Sequence, residues 1–479
     1  MLKKNLVYNT LLSVSQVLFP LIIFPFAFKV LEPAGIGLLS FTENLTQYLI
    51  SLAALGIPIY GIREVAKCKQ DKEKLSNLFS SLFFIQCLLT IIIILIYLFL
   101  IQHVERLSKD KFIYYISSII ILINVFTIEW FLQGLEKFKL IAIRTIIIRS
   151  LFIILILLFV KSKNDLLVYY GLILLTTFLN AAVNFSQALM YLTIKVRIKE
   201  TLQHVKPLLF IFITTLAVNV YIVLDTVILG FLSPNNESVG YYTTALRICK
   251  IPLAFMTALS MVLIPRISSF YATGDLNRVH DLIQKSFSYI ILIALPISIG
   301  LFLLAPDIIF LLANKNYEPS ITVVRLLSLL TLIIGLNNLF GMQILTTLGK
   351  EKVTMYIVAV GMMVSVLCNL SLVPIFSYIG TTISTLLAEI FVTVATGYFA
   401  LYYFKFRFPW IIIIQSLIAC LSFVPLYYFT AIISQNPLFR VLFMIVIGGT
   451  IYFLLMLFLF KNRFLISYKK TIHSKLSLR

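Results

Sequence analysis

Apolar residues in this chain arrive in long unbroken runs, and polar residues are confined to short connections between them. A helix needs about 20 apolar residues to cross a ~30 Å hydrocarbon core. Fourteen stretches meet that length, near 8–31, 38–62, 78–101, 113–134, 143–160, 166–192, 208–232, 239–264, 281–304, 320–346, 353–376, 380–404, 409–431 and 437–460. Strands of a membrane barrel would alternate in polarity, and these runs do not, so the spans are helices. The pattern predicts an all-α integral membrane protein of about 14 transmembrane helices with no soluble domain. The opening "MLKK" leads straight into the first run without a small-residue cleavage site, so it reads as part of span 1 and not as a signal peptide. The stretch "PDIIFLLANKNYEPS" at 306–320 reads as a short amphipathic element on the outer surface.

The runs repeat. "EPAGIGLLSF" at 32–41 and "NNESVGYYTT" at 235–244 each place a glycine, Gly37 or Gly240, shortly after a proline-containing turn (Pro33, Pro234), and each opens a span that ends in Ile-Pro (Pro58, Pro265). Aligning the two glycines lays spans 1–6 over spans 7–12. Because six is even, both halves start on the same side of the membrane, so the predicted relation is a pseudo-two-fold axis along the membrane normal. Parallel repeats of this kind are a transporter signature, with substrate held between the halves. The implied domains are 1–200 (an N-lobe, spans 1–6), 201–404 (a C-lobe, spans 7–12) and 405–479 (spans 13–14 and a tail).

Composition agrees: apolar residues are 61% and charged residues 12% of the chain, against about 45–50% and about 25% in soluble domains. A net charge of +20 would suit a nucleic-acid binder, but its distribution argues otherwise. With the N-terminus cytoplasmic, 27 of the 39 Lys and Arg fall in or beside cytoplasmic connections, eight on the outer side and four within spans. That is the positive-inside bias, which sets topology and anchors the chain beside anionic lipid. Both termini are thus expected in the cytoplasm, and no nucleic-acid partner is expected. The five cysteines and four histidines are scattered without metal-ligand spacing, and Gly349-Lys350 lacks the phosphate-loop pattern. No metal site, cofactor or ATPase of its own is expected.

Charges inside apolar spans are expensive and therefore informative, since an Arg, Lys or Asp at mid-helix costs roughly 2.5–3.5 kcal/mol on insertion scales. The cations are Arg149, Arg247, Lys250 and Arg325, and the acids Glu43, Glu129, Asp225 and Glu389. At about 1.5 Å per residue, Glu43, Asp225, Arg247 and Arg325 lie on the order of 10 Å below the outer ends of their spans. Lys250 and Glu389 lie near the middle, and Glu129 and Arg149 nearer the inner end. The repeat alignment places Asn44 against Arg247 and Gln47 against Lys250, each pair spaced i, i+3 on one helix face. One polar and one cationic face across a cavity between the lobes would suit a substrate with an anionic group. Arg149 and Arg325 are also close enough to an interface to snorkel. Glu129 has two candidate partners, Arg144 and Arg149. Asp225 could be a latch or the counter-ion of Arg247, and Glu389 a protonated acid.

Four stretches carry a family resemblance: "TIEWFLQGLEKFKLIAIRTIIIR" at 127–149, "PLIIFPFAFKVLEPAGIGLLSF", "LAALGIPIYGIREVA" and "VLDTVILGFLSPNNESVGYYTTALRI", in that family's order along nearly the whole chain. The chain resembles the Wzx-type polysaccharide (O-antigen) flippases of the multidrug/oligosaccharidyl-lipid/polysaccharide exporter superfamily. The resemblance implies a transporter, not an enzyme, in a bacterial inner membrane. Its cargo would be an undecaprenyl-diphosphate-linked oligosaccharide carried to the periplasmic leaflet by alternating access. It also implies membrane lipid, and the polymerase and chain-length proteins of the same pathway, as partners. By analogy with related lipid II flippases, spans 13 and 14, from Phe408 onward, would guide the lipid tail. The superfamily's drug exporters carry an acid in span 1, which this chain lacks. Coupling to H+ or Na+ would therefore run through Asp225, Glu43, Glu129 or Glu389, or the membrane potential would act on the substrate's own charge. A cation-coupled drug exporter is the alternative within the superfamily. A membrane polysaccharide polymerase or glycosyltransferase is the alternative outside it, disfavoured by the short outer segments at 102–112 and 305–319.

Overall fold

The computed structural model describes residues 2–192, 198–406 and 408–460. Within them the chain is helical, in the order α1 Leu2–Ala54, α2 Ile57–Cys68, α3 Lys72–His103, α4 Glu105–Ser108, α5 Lys111–Asn124, α6 Glu129–Gly134, α7 Phe138–Phe159, α8 Leu166–Leu189, α9 Ile198–Leu232 and α10 Asn236–Lys250. There follow α11 Leu253–Ala272, α12 Leu276–Leu312, α13 Ser320–Leu327, α14 Leu330–Asn337, α15 Glu351–Phe376, α16 Tyr378–Tyr403, α17 Trp410–Cys420, α18 Phe423–Ile433, α19 Pro437–Phe443 and α20 Gly449–Leu454. Among the described residues, 11 helical stretches are long and apolar enough to cross a membrane. The first of these counts two predicted spans as one, because α1 runs continuously past a break at Glu32 (φ 58°) just before Pro33. With that break, and with α9 and α10–α11 in place of predicted spans 7 and 8, the helix order is compatible with fourteen crossings. The chain is a multi-pass membrane protein.

The lipid-facing surface follows from helical period. On α3, Leu88, Ile91, Ile92, Leu95, Ile96 and Phe99 are all exposed, recurring at i, i+3, i+4, i+7, i+8 and i+11 on one face. The opposite face buries Gln86, Thr90, Tyr97 and Ile101. The polarity is reversed from a soluble helix, as hydrocarbon solvent requires. Helix ends use local chemistry. Asp71 accepts from the backbone N–H of Glu73 and Lys74 at the start of α3, and Gly56 (φ 75°) supplies the left-handed residue between α1 and α2. Outside the spans, Lys69 lies 2.8 Å from Glu136, and this hydrogen bond holds the Glu136 carboxyl below the usual carboxylate range.

Contacts divide the chain into two compact units, up to Gly240 and from Tyr241 on. In the first, α9, which the repeat alignment assigns to the second half, packs along α1, α2 and α3. Its core gathers Ile57, Phe79, Leu82, Trp130, Phe131 and Ile141. In the second, α12 is the central helix, packed against α11, α13, α14, α17 and α19, over a core of Phe287, Ile290, Leu339, Phe340 and Met444.

One expectation is corrected here. Residues 306–312 do not form a separate surface element; they continue α12, which runs 37 residues, or about 55 Å at 1.5 Å per residue. Only a short 3-10 turn, Lys315–Tyr317, interrupts the way to α13. Pro306 does not end the helix, and Asp307, 2% exposed, is covered by a partner from a distant helix.

Candidate functional site

A 3-10 turn at Val125–Thr127 ends α5, and Ile128 (φ 23°) then redirects the chain into α6, so that Glu129 stands on its first turn. The cation that meets it comes from α7. Arg144, 7% exposed, places Nη2 at 3.2 Å from Glu129 Oε2 and 3.1 Å from Thr145 Oγ1, and its Nη1 donates to Asn184 Oδ1 on α8. Asn184 in turn donates to the Thr127 carbonyl, so one amide ties α8 to both the turn and the guanidinium. Gln133 Nε2 donates to the other carboxylate oxygen at 3.1 Å. Of the two partners the sequence allowed for Glu129, the ion-paired one is Arg144. Arg149 instead donates to Ser15 Oγ at 3.0 Å and lies over Phe19.

Glu129 also faces an opening. With Gln47, Ser51, Gln86, Asn124, Thr127, Trp130 and Gln133 it lines a half-open cavity of about 290 Å³ between the end of α1, α2, α3 and α6. Two buried groups on this lining have no hydrogen-bond partner among the described residues: Gln86 Oε1 and Trp130 Nε1. Gln86 is 7% and Trp130 5% exposed. A buried polar atom without a partner costs about 1–3 kcal/mol, and such atoms in folded proteins call for a ligand, a water or a strain account. The indole stacks on Phe79 at 5.8 Å and rests against Gly61, where a Cβ would stand 2.9 Å from Trp130 Cδ2.

The remaining predicted residues are distributed as follows. In the first unit, Glu43 and Asn44 are half-buried, with Asn44 Nδ2 donating to the Ser40 carbonyl at 2.7 Å, while Asp225 is buried. Gln47 and Glu129, which came from separate arguments, share the cavity. In the second unit, Arg247 is half-buried and Lys250 exposed on the last turn of α10. There too, Glu389 is half-buried, and Arg325 is exposed above Phe302, 5.7 Å from guanidinium carbon to ring centre. Among the described residues no three His, Cys, Asp or Glu cluster as a metal site would need.

Sequence reasoning missed a second ion pair. Asp307 on α12 meets Arg440 on α19 at 2.9 Å, their side chains 3% and 16% exposed, and Arg440 also lies 4.7 Å from the Tyr427 ring centre. The available signal was topology: the end of span 9 and the start of span 14 are predicted on the same, outer side. Removing one partner of a buried pair typically costs about 3–5 kcal/mol, so Arg440→Ala is expected to lower the melting temperature of the purified protein sharply. Asp307→Asn combined with Arg440→Met should recover much of that loss, and a double variant no more stable than Arg440→Ala would show that the pair carries none of it. Beside this pair lies an apolar groove of about 540 Å³, lined among others by Pro252, Pro296, Gly300, Leu304, Phe423, Met444 and Tyr452.

The turn at Pro33 meets the start of α10 at a close crossing. A Cβ on Gly37 would overlap the Asn236 carbonyl oxygen and stand 2.8 Å from the Gly240 backbone nitrogen; one on Gly240 would overlap the Pro33 carbonyl oxygen. The two glycines that mark the repeat thus face each other. Small residues allow this approach of helix backbones in a membrane.

Two family models match the chain: "Polysaccharide biosynthesis protein" over residues 2–271 and MatE over residues 211–371. The chain is 27% identical over 405 residues to a protein of Escherichia coli (strain K12) named "Putative O-antigen transporter", covering 82% of this chain and 95% of that one. It is 32% identical over 166 residues to a "Probable flippase AglR" of Haloferax volcanii, 34% of this chain and 35% of that one. Its fold is similar to the solved structure "Lipid II flippase MurJ, inward closed conformation", with a TM-score of 0.70, 15% identity, and coverage of 95% of this chain and 99% of that one. With the polysaccharide biosynthesis model spanning more than half of the sequence, on a helical fold shared with a flippase, this chain belongs to the polysaccharide biosynthesis protein family.

Proposed function

We propose that the chain is a flippase that carries an undecaprenyl-diphosphate-linked oligosaccharide from the cytoplasmic to the periplasmic leaflet of a bacterial inner membrane, both termini in the cytoplasm. The observation that carries this reading is the likeness, over most of both chains, to a protein named as an O-antigen transporter. The chemistry fits it. Arg247 and Lys250, i and i+3 on α10, would serve the diphosphate, Arg as a bidentate fork and Lys as a point charge. Asn44 and Gln47 would be polar substrate contacts, and Arg149 and Arg325 further anion contacts. The apolar groove beside spans 13 and 14 suits a polyprenyl tail. Translocation makes and breaks no covalent bond, so no catalytic residue is required. The pathway's polymerase and chain-length proteins would take over the product.

An anionic headgroup leaving an inside-negative cell gains about 2.3 kcal/mol per charge per 100 mV. The potential alone can thus drive export, and Asp225, Glu43, Glu129 and Glu389 remain the candidates for H+ or Na+ coupling. The match of the MatE model to residues 211–371 favours a second reading, a cation-coupled drug exporter. A drug-resistance assay on the expressed protein separates the two.

In a flippase-deficient strain, Arg247→Ala or Lys250→Ala is expected to abolish surface polysaccharide while membrane levels of the protein stay normal. Wild-type polysaccharide in both, at normal levels, would remove the diphosphate assignment.

A further inference from the structure

We infer that the cavity of the first unit is a sugar-reading site, one that takes a single neutral pyranose ring of the glycan and is separate from the group that binds diphosphate. The inference rests on the flippase reading. Its ground is the donor and acceptor set. Gln47, Gln86, Asn124 and Gln133 bring four amide-bearing residues to one cavity, with Gln133 Nε2 already donating to Glu129; an amide can both donate and accept. That is the complement of sugar hydroxyls, which also donate and accept.

Charge excludes the anionic part of the substrate. Glu129 is the charged group on the lining, and Arg144, the cation paired with it, is not on that surface. A phosphate entering here would meet a carboxylate. Size argues against a lone cation, since about 290 Å³ lies at the lower edge of the range of about 300–1,000 Å³ for small-molecule sites. Just beneath this lining Gln86 Oε1 and Trp130 Nε1 are buried without hydrogen-bond partners among the described residues, so a hydroxyl that drew the Gln86 amide towards the cavity would relieve an unpaired acceptor. Glu129, kept in place by Arg144 and Gln133, accepts a further hydroxyl proton. A site so built discriminates well, because an analogue lacking the matching hydroxyl leaves buried groups unpaired.

The chain holds two tryptophans, Trp130 and Trp410, so a Trp410→Phe full-length protein reports on this cavity through Trp130 fluorescence alone. Purified in lipid nanodiscs, it would be titrated with free hexoses, N-acetylhexosamines and 6-deoxyhexoses, and in parallel with inorganic pyrophosphate and with NaCl. A saturable change is expected with one class of neutral sugar and none with pyrophosphate. Gln86→Leu and Gln133→Leu should each weaken it at least tenfold at unchanged melting temperature, whereas Lys250→Ala leaves it intact. The proposal fails if no sugar gives a saturable response, if pyrophosphate gives one, or if Na+ gives one that Glu129→Gln abolishes. Failure here with Arg247→Ala still blocking surface polysaccharide would sink the sugar site and leave the flippase. A sugar response in a chain that supports no polysaccharide export would do the reverse.

Discussion

Gly240→Ala and Gly37→Ala are each expected to remove most of the folded protein from the membrane, while Gly171→Ala leaves its level unchanged. Each of the first two adds one methyl group to a crossing where the neighbouring atoms are backbone. The Cβ on Gly240 would overlap the Pro33 carbonyl oxygen and lie 2.8 Å from its carbon, and the Cβ on Gly37 would overlap the Asn236 carbonyl. A flexible side chain can turn aside, but a carbonyl in a helix cannot move without moving its helix. Overpacking of this kind costs typically about 1–3 kcal/mol and occasionally more, and here the strain falls beside the Glu32–Pro33 break that already bends α1. Around Gly171 on α8 a Cβ would meet nothing within 4 Å, so it controls for the change in helix propensity. Membrane abundance and the melting temperature of detergent-purified protein are the measurements. Wild-type values for both alanine variants would mean that this crossing is not tight in the folded protein.

Breaking the Glu129–Arg144 pair is expected to be about as damaging, and asymmetrically so. Arg144 is 7% exposed, whereas the Glu129 side chain is 41% exposed. Glu129→Ala therefore leaves a buried guanidinium with Asn184 and Thr145 but no counter-charge. The loss is expected near the lower end of the range of about 3–5 kcal/mol typical of a fully buried pair, because the carboxylate is partly exposed. Arg144→Ala leaves a carboxylate that water in the cavity can reach, and should cost less. The double reversal Glu129→Arg with Arg144→Glu should recover more stability than either single change, measured by thermal unfolding. The same exchange between Glu129 and Arg149 should recover nothing, because Arg149 is engaged with Ser15. Equal recovery through Arg149 would overturn the assignment of the partner.

These two expectations show where reading the chain succeeds and where it stops. Apolar runs of span length identify membrane helices because each helix must satisfy its own backbone in lipid, a condition that residues close in sequence meet by themselves. The same logic exposed Glu129 as a costly charge needing a partner nearby. It could not choose between Arg144 and Arg149, which lie five residues apart on α7 and so present different faces of the helix. The turn at Ile128 and the approach of Asn184 make that choice, and both belong to the packed structure. The cavity was half legible. Gln47 was singled out from the repeat, and Glu129 from its charge, but an uncharged Gln86 inside α3 is indistinguishable in sequence from any tolerated amide. The extension of α12 through Pro306 was misread because proline and a polar tail argue locally for an end, while the Asp307–Arg440 contact that covers the region comes from a helix more than a hundred residues away.

The sequence by itself determined that this chain is a bundle of membrane helices, that the stretches about Gly37 and Gly240 resemble each other, and that a charge such as Glu129 needs a partner inside it. Only the tertiary structure decided that those two glycines touch, which arginine answers Glu129, and that four amide-bearing residues line one cavity with Trp130 beside them. The division has a physical cause: solvation by lipid acts on each residue through its own span, whereas pairing and cavity shape depend on how closely backbones distant in sequence are allowed to approach.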